Sequence, residues 1–176
     1  MIAFSEELDE NGDVEEKHSM WQRFEATVGD EPVEIKNIFS WYGFRYFKVE
    51  GDAEVVCVRR VHTDVKVNSA FTSNNETLNW IFRTFVHTML CNMHTGHPSD
   101  CPHLERRGYT GDGQLTCHAV LSTMDGKAFY EKWLQDIAGS QDMLSGHIQY
   151  TAPYIRSGGG PGGWGCAIVE VPCQLY

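Results

Sequence analysis

The chain changes its hydrophobic period once, between about residue 69 and Ser73, and this change constrains the fold more than any other feature. Before it, residues 39–49 and 55–61 are rich in aromatic and β-branched side chains, which is typical of β-strands. After it, apolar residues recur at helical spacing. Strands followed by helices, without alternation, indicate two domains of different class. We therefore predict an α+β chain by segment, with a β-domain over residues 1–68 and a helical domain over residues 69–176.

The β-segment is small for a sheet domain. Besides the two runs above, it offers only a short third strand at residues 65–67. Two or three strands do not form an independent sandwich. Partner strands are therefore either missing or contained in the acidic, weakly patterned residues 1–36.

The helical segment begins with a capping box, Ser73-Asn74-Asn75-Glu76, in which the Ser73 hydroxyl and the Glu76 carboxylate would each accept from the other's backbone amide. A helix is predicted over residues 74–92 from one apolar stripe, whose members are Leu78, Ile81, Phe82, Phe85 and Met89. Two more helices are predicted at 113–123 and 127–138, and Gly139 is placed to end the second. In this last helix we expect four residues to be buried, namely Phe129, Trp133, Leu134 and Ile137.

Charge and composition exclude several functions. The net charge of -10 argues against nucleic acid, because binding phosphates requires a basic surface. No apolar run approaches the roughly 20 residues that span a bilayer. Residues 1–10 lack the basic and apolar regions of a secretory signal. The six cysteines have no framework spacing, so we expect free thiols in a reducing compartment, with the cytoplasm favoured.

The segment from Pro98 to Gln114 carries the densest chemistry. It places three carboxylates, Asp100, Glu105 and Asp112, among basic, aromatic, proline and glycine residues. A solvated loop with Asp100 as a helix cap explains these residues equally well. In a site, cleavage of a glycosidic bond would need a proton donor and a base that activates water. Glu105 is then the candidate acid, because partial burial near another carboxylate would keep it protonated.

Sugar binding needs polar acceptors and flat apolar faces. Ionised carboxylates can accept hydrogen bonds from sugar hydroxyls, and aromatic rings can stack on a sugar, although core packing is the commoner role of any one aromatic. The candidate sugar-binding residues are Asp100, Arg106, Tyr109, Asp112 and Trp164. Trp164 stands in a glycine-rich run, Gly158–Gly165, which we expect to be irregular. Such a run is either a flexible loop or backbone that approaches a ligand closely.

A metal site is the rival interpretation of this region. Cys91, His94, His97, Cys101 and His103 lie within thirteen positions. Structural zinc prefers two paired half-sites, and only the spacing of Cys91 and His94 fits one half. We therefore predict no metal and no other cofactor, with His94 and His97 at the surface of a loop.

Four separated segments carry a family resemblance and occur in one order along the chain. They are Trp41-Tyr42-Gly43-Phe44-Arg45-Tyr46, Ser73-Asn74-Asn75 with Leu78-Asn79, the segment Asp100–Asp112, and Gly162-Gly163-Trp164-Gly165 with Ala167 and Pro172. Together they closely resemble motifs of the bacterial α-L-rhamnosidases of glycoside hydrolase family 78. The first resembles the end of the β-sandwich that precedes their catalytic domain, and the third resembles their signature.

The resemblance implies an inverting hydrolase with an (α/α)6 toroid that removes terminal α-L-rhamnose from glycosides. It puts Glu105 in the general-acid position, and Asp100 and Asp112 in positions that bind sugar hydroxyls. Two residues depart from the family pattern. Cys166 stands where aspartate is usual, which removes a carboxylate, and Tyr109 stands where tryptophan is common. The expected ligands are rhamnose-containing glycosides, with no nucleic-acid or membrane partner.

The length of the chain sets a further expectation. A toroid of about twelve helices needs on the order of 200 residues, which is more than residues 69–176 provide. We therefore expect a fragment with a β-sandwich remnant and the first toroid helices, which contains the acid and lacks the general base. Uncovered toroid surface would favour self-association. The alternatives are a non-catalytic, rhamnoside-binding relic and a small zinc-binding module.

Overall fold

The computed structural model describes residues 1–176 and contains both strands and helices, which confirms the mixed class predicted above. The chain forms two compact units. Unit 1 comprises Met1–Val61 and Pro102–Glu105, and unit 2 comprises His62–Cys101 and Arg106–Tyr176. None of the helices is long and apolar enough to cross a membrane.

Unit 1 is built on a three-stranded antiparallel sheet with β1 in the middle. Strand β1 (Ile2–Ser5) pairs with β2 (Arg23–Phe24) on one side and with β3 (Tyr46–Val49) on the other. Ile2 lies opposite Val49 in the second pair. The N-terminal residues therefore contain partner strands, which is one of the two alternatives that the sequence left open.

The side chains of β1 make a small core on this sheet. Phe4 is buried, and its ring stacks on Tyr42 at a centroid distance of 4.3 Å. Gln22 joins the same region through two hydrogen bonds with the backbone of Gly43, donating to its oxygen at 2.8 Å and accepting from its nitrogen at 3.0 Å. Both polar ends of the buried Gln22 amide are thus satisfied, as buried polar groups require.

The predicted strands are wrong in extent. Within residues 39–49, only Tyr46–Val49 pairs in the sheet, and residues 55–61 form no strand. Val56 and Val58 are largely exposed. A β-branched run becomes a strand only when a neighbouring strand satisfies its backbone groups, and none pairs with residues 55–61. The third predicted strand is reduced to an isolated bridge at Val67.

Unit 2 consists mainly of four helices. They are α1 (Glu76–Cys91), α2 (Thr110–Thr123), α3 (Lys127–Gly139) and α4 (Ala167–Leu175). The three predicted helices are confirmed, although α2 begins at Thr110 and not at residue 113. Helix α4 is not predicted from the sequence, because it follows a glycine-rich run and contains Pro172, and proline is unfavourable inside a helix.

A short hairpin separates α1 from α2. It consists of β4 (Met93–His94) and β5 (His97–Pro98), which pair antiparallel. Thr95 and Gly96 form its turn, and both have positive φ angles, 51° and 78°. The hairpin leads directly into the loop that carries the candidate site.

The start of α1 differs from the predicted capping box. Asn75 is the N-cap, and its side chain accepts from two backbone amides of the first turn. The amide of Ser73 donates to Asn79 Oδ1 at 2.8 Å, and the Ser73 carbonyl accepts from Asn79 Nδ2 at 2.9 Å. The bond predicted from Glu76 is therefore replaced by Asn79, whose side-chain amide can both donate and accept.

The core of unit 2 includes residues of α2, α3 and α4. Trp133 is fully buried, and its Nε1 donates to Ala152 O at 2.8 Å. Phe129 and Ile137 are buried as predicted, whereas Leu134 is only partly buried. The largest side chains with almost no exposure are Trp133, Tyr130, Met93, Met124, Ile137, Val120 and Val171. Burial of each of the methionine, isoleucine and valine side chains in this list contributes about 1.5–3 kcal/mol.

The apolar stripe of α1 is covered only in part. Phe85 and Met89 pack against the core, but Leu78 and Ile81 are 45% and 49% exposed. The helix is therefore present as predicted, and the N-terminal half of its stripe is not buried.

Candidate functional site

Asp100 lies in the loop that connects β5 to α2, and the backbone holds its carboxylate. The amide of Asp100 donates to Arg107 O at 3.1 Å, and Asp100 Oδ1 accepts from Arg107 N at 2.9 Å. Asp100 Oδ2 accepts from Cys101 Sγ at 3.0 Å. The double link between Asp100 and Arg107 closes the loop that carries Pro102–Glu105. It also fixes the carboxylate of a candidate sugar-binding residue.

Arg106 and His97 support the return of this loop. Arg106 has a left-handed φ of 53°, which is uncommon for a residue with a side chain. The backbone of Arg106 is hydrogen-bonded to His97. Burial lowers the pKa of His97, and the bond to Arg106 opposes this shift in part. His97 is thus half-buried and supports the backbone, and its predicted place at a loop surface is wrong.

Tyr109 is held by pairing with a later segment of unit 2. Gly108 O accepts from Ala152 N at 2.8 Å, and Thr110 N donates to Tyr150 O at 2.9 Å. Tyr109 itself forms an isolated bridge with Thr151. The entry into α2 is therefore tied to residues 150–152 on both sides of Tyr109.

Asp112 stands in the first turn of α2, where a carboxylate interacts favourably with the helix dipole. Both of its neighbours are glycines, because indole rings occupy the space of a side chain. A Cβ at Gly113 would overlap the ring of Trp133, and one at Gly111 would lie 2.7 Å from Trp164 Cε2. The packing of two tryptophans thus fixes the turn that presents the exposed Asp112.

Trp164 lies in a 3-10 helix, Gly163–Cys166, that leads into α4. Its ring packs edge-on against Tyr109 and Tyr150, at centroid distances of 5.5 and 5.3 Å. Trp164 as a whole residue remains 41% exposed. The prediction that Gly158–Gly165 is irregular throughout is therefore wrong at its C-terminal end, where these aromatic contacts order the chain.

A cavity of about 270 Å³ brings Asp100 and Asp112 together in unit 2. Its lining residues are Thr88, Met89, Asn92, Met93, Pro98, Ser99, Asp100, Asp112, Leu115, Thr116, Val120 and Tyr130. Ser99 Oγ donates to Asn92 Oδ1 at 3.0 Å, which orders one polar wall. Methionine, leucine and valine side chains form an apolar wall. Concave sites of this kind, mostly apolar with a few polar groups, are typical of small-ligand binding.

Several residues near this site are not predicted from the sequence. Thr88 and Asn92 come from the end of α1 and have no signal in the sequence, because only the tertiary fold brings them to Asp100. Gln114 is different, since it lies two residues after the signature segment Asp100–Asp112. Gln114 Nε2 donates to Gly163 O at 2.6 Å. An amide beside a cluster of acids is the signal that identifies it.

Glu105 is the last residue of Pro102–Glu105, the segment that belongs to unit 1. Within this unit Gly43 packs against the carbonyl of Pro102. Glu105 is exposed, although partial burial is expected from the sequence. The expectation is wrong because Glu105 lies in neither a helix nor a strand that would cover it.

The candidate metal ligands of unit 2 make other contacts. Cys91 Sγ lies 3.6 Å from His87 Nε2 on the same helix, and His94 Nε2 lies 3.1 Å from Cys91 O. His94 is buried in β4, against the prediction of a loop surface, and burial lowers its pKa. Burial also raises the pKa of Cys117 to about 12. The six cysteines are free thiols, and the predicted absence of zinc stays a prediction.

Comparisons with known proteins point to one family. Residues 66–176 match the family described as the bacterial alpha-L-rhamnosidase six-hairpin glycosidase domain. An α-L-rhamnosidase of Formosa agariphila is 30% identical over 163 residues, which cover 84% of this chain and 17% of that protein. One of Streptomyces avermitilis is 32% identical over 155 residues, which cover 84% of this chain and 15% of that protein.

Solved structures agree with these sequence matches. The α-L-rhamnosidase from Dictyoglumus thermophilum superimposes with a TM-score of 0.83 at 30% identity, over 99% of this chain and 21% of that one. The Streptomyces avermitilis enzyme complexed with L-rhamnose gives a TM-score of 0.79 at 26% identity, over 99% of this chain and 18% of that one. The chain thus spans about a fifth of the length of its structural relatives.

Proposed function

This chain belongs to the bacterial α-L-rhamnosidase family, and we propose that it carries the part of the site that binds a terminal α-L-rhamnoside and protonates its glycosidic oxygen. Its relatives are named α-L-rhamnosidases, and one of them has been solved with L-rhamnose. The proposed reaction is hydrolysis of the glycosidic bond with inversion. Rhamnose-containing glycosides are the proposed substrates.

The cavity of unit 2 is the observation that carries this proposal. L-Rhamnose is a 6-deoxy sugar, with hydroxyl groups around its ring and a methyl group on C5. A site for it needs hydrogen-bond acceptors for the hydroxyls and an apolar wall for the methyl group. The cavity combines both, because Asp100 and Asp112 line it together with Met89, Met93 and Val120.

The proposed roles follow the motif, residue by residue. Glu105 is the general acid, and Asp100 and Asp112 accept hydrogen bonds from sugar hydroxyls. Tyr109 and Trp164 are proposed to offer apolar ring faces to the sugar, and the partial exposure of Trp164 supports this role. Arg106, at the return of the loop, is proposed as a further contact.

The two departures from the family pattern limit these roles. Cys166 supplies a thiol where the family usually has a carboxylate, so we propose no acceptor there. Cys166 is exposed at the start of α4. Tyr109 retains an aromatic ring, and its edge-on contact with Trp164 supports the same use of the position.

The finer architecture is also a proposal. We propose that α1 to α4 correspond to the first helices of an (α/α)6 toroid and that unit 1 corresponds to a β-sandwich remnant. The match of residues 66–176 to a six-hairpin domain supports the first assignment. Inversion requires a second carboxyl about 6.5–9.5 Å from the acid. Glu170 is the one carboxylate of α4, and it is the first residue to test as a base.

Binding of free sugars tests the cavity. We expect the chain to bind L-rhamnose and to bind L-mannose more weakly, because L-mannose places a hydroxyl where L-rhamnose has its methyl hydrogen. Asp112→Asn should weaken L-rhamnose binding by about tenfold or more, since hydrogen bonds to charged groups are the stronger kind. Isothermal titration calorimetry measures both. The matched control is Asp125→Asn, an exposed carboxylate beyond the other end of α2. Equal affinity for the two sugars contradicts the proposed methyl site.

Enzyme kinetics test the proposed role of Glu105 as the general acid. The 176-residue chain should hydrolyse an aryl α-L-rhamnoside at or near background, because its four helices supply only part of a toroid. In a version extended to the length of the relatives, Glu105→Gln should lower kcat on natural rhamnosides by about 10²–10⁴-fold. An activated leaving group should recover part of this rate, since it needs little protonation. An unchanged kcat in Glu105→Gln would remove Glu105 from the mechanism.

A further inference from the structure

The side chain of Gln114 links two parts of unit 2 that are far apart in the chain. Its Nε2 donates to Gly163 O at 2.6 Å, across 49 residues. Gln114 lies two residues after Asp112 in α2, and Gly163 directly precedes Trp164. We propose that Gln114 is a positioning residue that holds Trp164 against the first turn of α2. The relevance of this link to sugar binding rests on the function proposed above.

A small number of backbone and side-chain hydrogen bonds position the segment that carries Trp164. At its beginning, Tyr150 N donates to Gly158 O at 2.9 Å, and Gln149 forms an isolated bridge with Gly159. At its end, the bond from Gln114 holds Gly163. Glycine loses more conformational freedom on ordering than any other residue, so each tie has a large influence on such a segment.

The orientation of the Gln114 amide is determined by this bond. Gln114 Oε1 is buried and has no hydrogen-bond partner. If the amide were rotated by half a turn, Oε1 would face the carbonyl oxygen of Gly163, and two acceptors would repel each other. An unpartnered buried acceptor is unfavourable. The Gln114 amide therefore stays in the orientation in which Nε2 donates to Gly163 O, although this orientation leaves the buried Oε1 without a partner.

The consequence of the link falls on Trp164. The indole contacts Gly111 of α2 and packs edge-on against Tyr109 and Tyr150. These ring contacts act on the indole, whereas Gln114 fixes the backbone one residue before it. Gln114 thus sets the position of the backbone that carries the partly exposed Trp164.

Gln114→Glu tests the link with little change of shape. At neutral pH the introduced carboxylate can only accept, so it repels Gly163 O and releases the segment. When protonated at low pH, the carboxyl can donate again. With 5-fluorotryptophan labelling, the ¹⁹F signal of Trp164, assigned from Trp164→Phe, should therefore shift or broaden at neutral pH and return toward that of the original chain below about pH 4.

Other titrating groups near the ring are accounted for by comparing the variant with the original chain. Two ionisable side chains pack against the Trp164 ring, those of Tyr109 and Tyr150. Asp112 follows its contact residue Gly111, and Cys166 lies two residues after it in the chain. All four are present in both the variant and the original chain. The matched control is Gln141→Glu, because Gln141 Nε2 also donates to a glycine carbonyl, that of Gly146, at 2.7 Å. This control should leave the Trp164 signal unchanged at every pH.

A second variant tests the link in case Gln114→Glu does not fold. Gln114→Met keeps the length of the side chain and removes the donor, so the Trp164 signal should move in the same direction without the added pH dependence. A Trp164 signal identical to that of the original chain in either folded variant overturns the link. Recovery of the Gln114→Glu signal at low pH supports it.

Sugar binding separates this inference from the proposed function. At neutral pH, Gln114→Glu should bind L-rhamnose about five- to tenfold more weakly, as expected for the loss of one hydrogen bond that positions a contact residue. If the Trp164 signal responds as predicted but the original chain does not bind L-rhamnose, the proposed function fails and the link stands. If L-rhamnose binds and the Trp164 signal does not respond, the link fails and the proposed function stands.

Discussion

Helices α1 and α3 carry similar apolar stripes, yet unit 2 buries one and leaves the other half-covered. In α3, Phe129, Tyr130, Trp133 and Ile137 are buried. In α1, the only buried residue is Asn79, which is polar. An amphipathic pattern therefore predicts that a helix forms and which face is apolar, but it does not predict what covers that face.

The two helices are also stabilised by different means. The N-cap of α1 is Asn75, whose side chain accepts from two amides, and Asn79 binds the backbone before the helix. The N-cap of α3 is Gly126, which provides no side-chain acceptor. Local hydrogen bonds thus support the exposed end of α1, whereas tertiary packing supports α3. Helices with similar apolar stripes can therefore be stabilised by different interactions.

The largest effect is expected from truncation of the central side chain of α3. Trp133→Ala should lower the free energy of unfolding of unit 2 by about 3–5 kcal/mol, because it opens a cavity against Gly113 and removes the bond to Ala152. The matched change in α1 is Trp80→Ala, at a side chain that is 58% exposed, and it should stay within about 0.5 kcal/mol. Urea unfolding followed by circular dichroism at 222 nm measures both. Equal losses of unfolding free energy in the two variants would contradict the proposed difference between α1 and α3.

An intermediate effect is expected at the cap of α1. Asn75→Ala should cost about 1 kcal/mol, because two amides of the first turn lose their acceptor. Hydrogen exchange at those amides should accelerate, while amides of α3 keep their protection. Ser73→Ala is the control, since Ser73 was predicted to be the cap and in the structure is not. A larger loss in Ser73→Ala than in Asn75→Ala would restore the capping box.

The smallest effect is expected on the uncovered stripe. Ile81→Ser should change the free energy of unfolding by less than about 0.5 kcal/mol, because the residue is already 49% exposed. If the self-association expected from the sequence occurs through this surface, the same variant should reduce it, as measured by sedimentation velocity. Leu144→Ser, at a residue that is 99% exposed and outside α1, is the control. A large loss of stability in Ile81→Ser would show that its side of α1 is covered.

The sequence predicted structure well where the determinants are local. The stripes that begin near Ser73 and Lys127 specify α1 and α3, because helical periodicity is a property of neighbouring residues. Strand β1 was not recognised, since Ile2–Ser5 is short and is stabilised by partners more than 15 residues away along the chain. The prediction of a strand at residues 55–61 is wrong for the opposite reason. Their composition favours a strand, but no partner pairs with them.

In the candidate site, too, the features set by local sequence are predicted and those set by tertiary packing are not. Asp100 and Asp112 were identified from one continuous segment, and the structure brings them to one cavity. The far wall of that cavity, with Thr88 and Asn92 from α1, depends on tertiary packing that no local pattern specifies. The exposure of Glu105 was missed for a similar reason. Burial depends on which segments pack nearby, and the loop gives no periodicity from which to infer it.

The membership of Pro102–Glu105 in unit 1 has a consequence for biosynthesis. Residues 1–61 leave the ribosome about 40 residues ahead of this segment, an interval of about 2–8 seconds at ordinary rates of translation. The sheet of β1, β2 and β3 can form during that interval, but Gly43 cannot yet contact Pro102. Unit 1 is therefore completed only after α1 of unit 2 has been synthesised, and a cut at residue 61 would separate unit 1 from its last four residues.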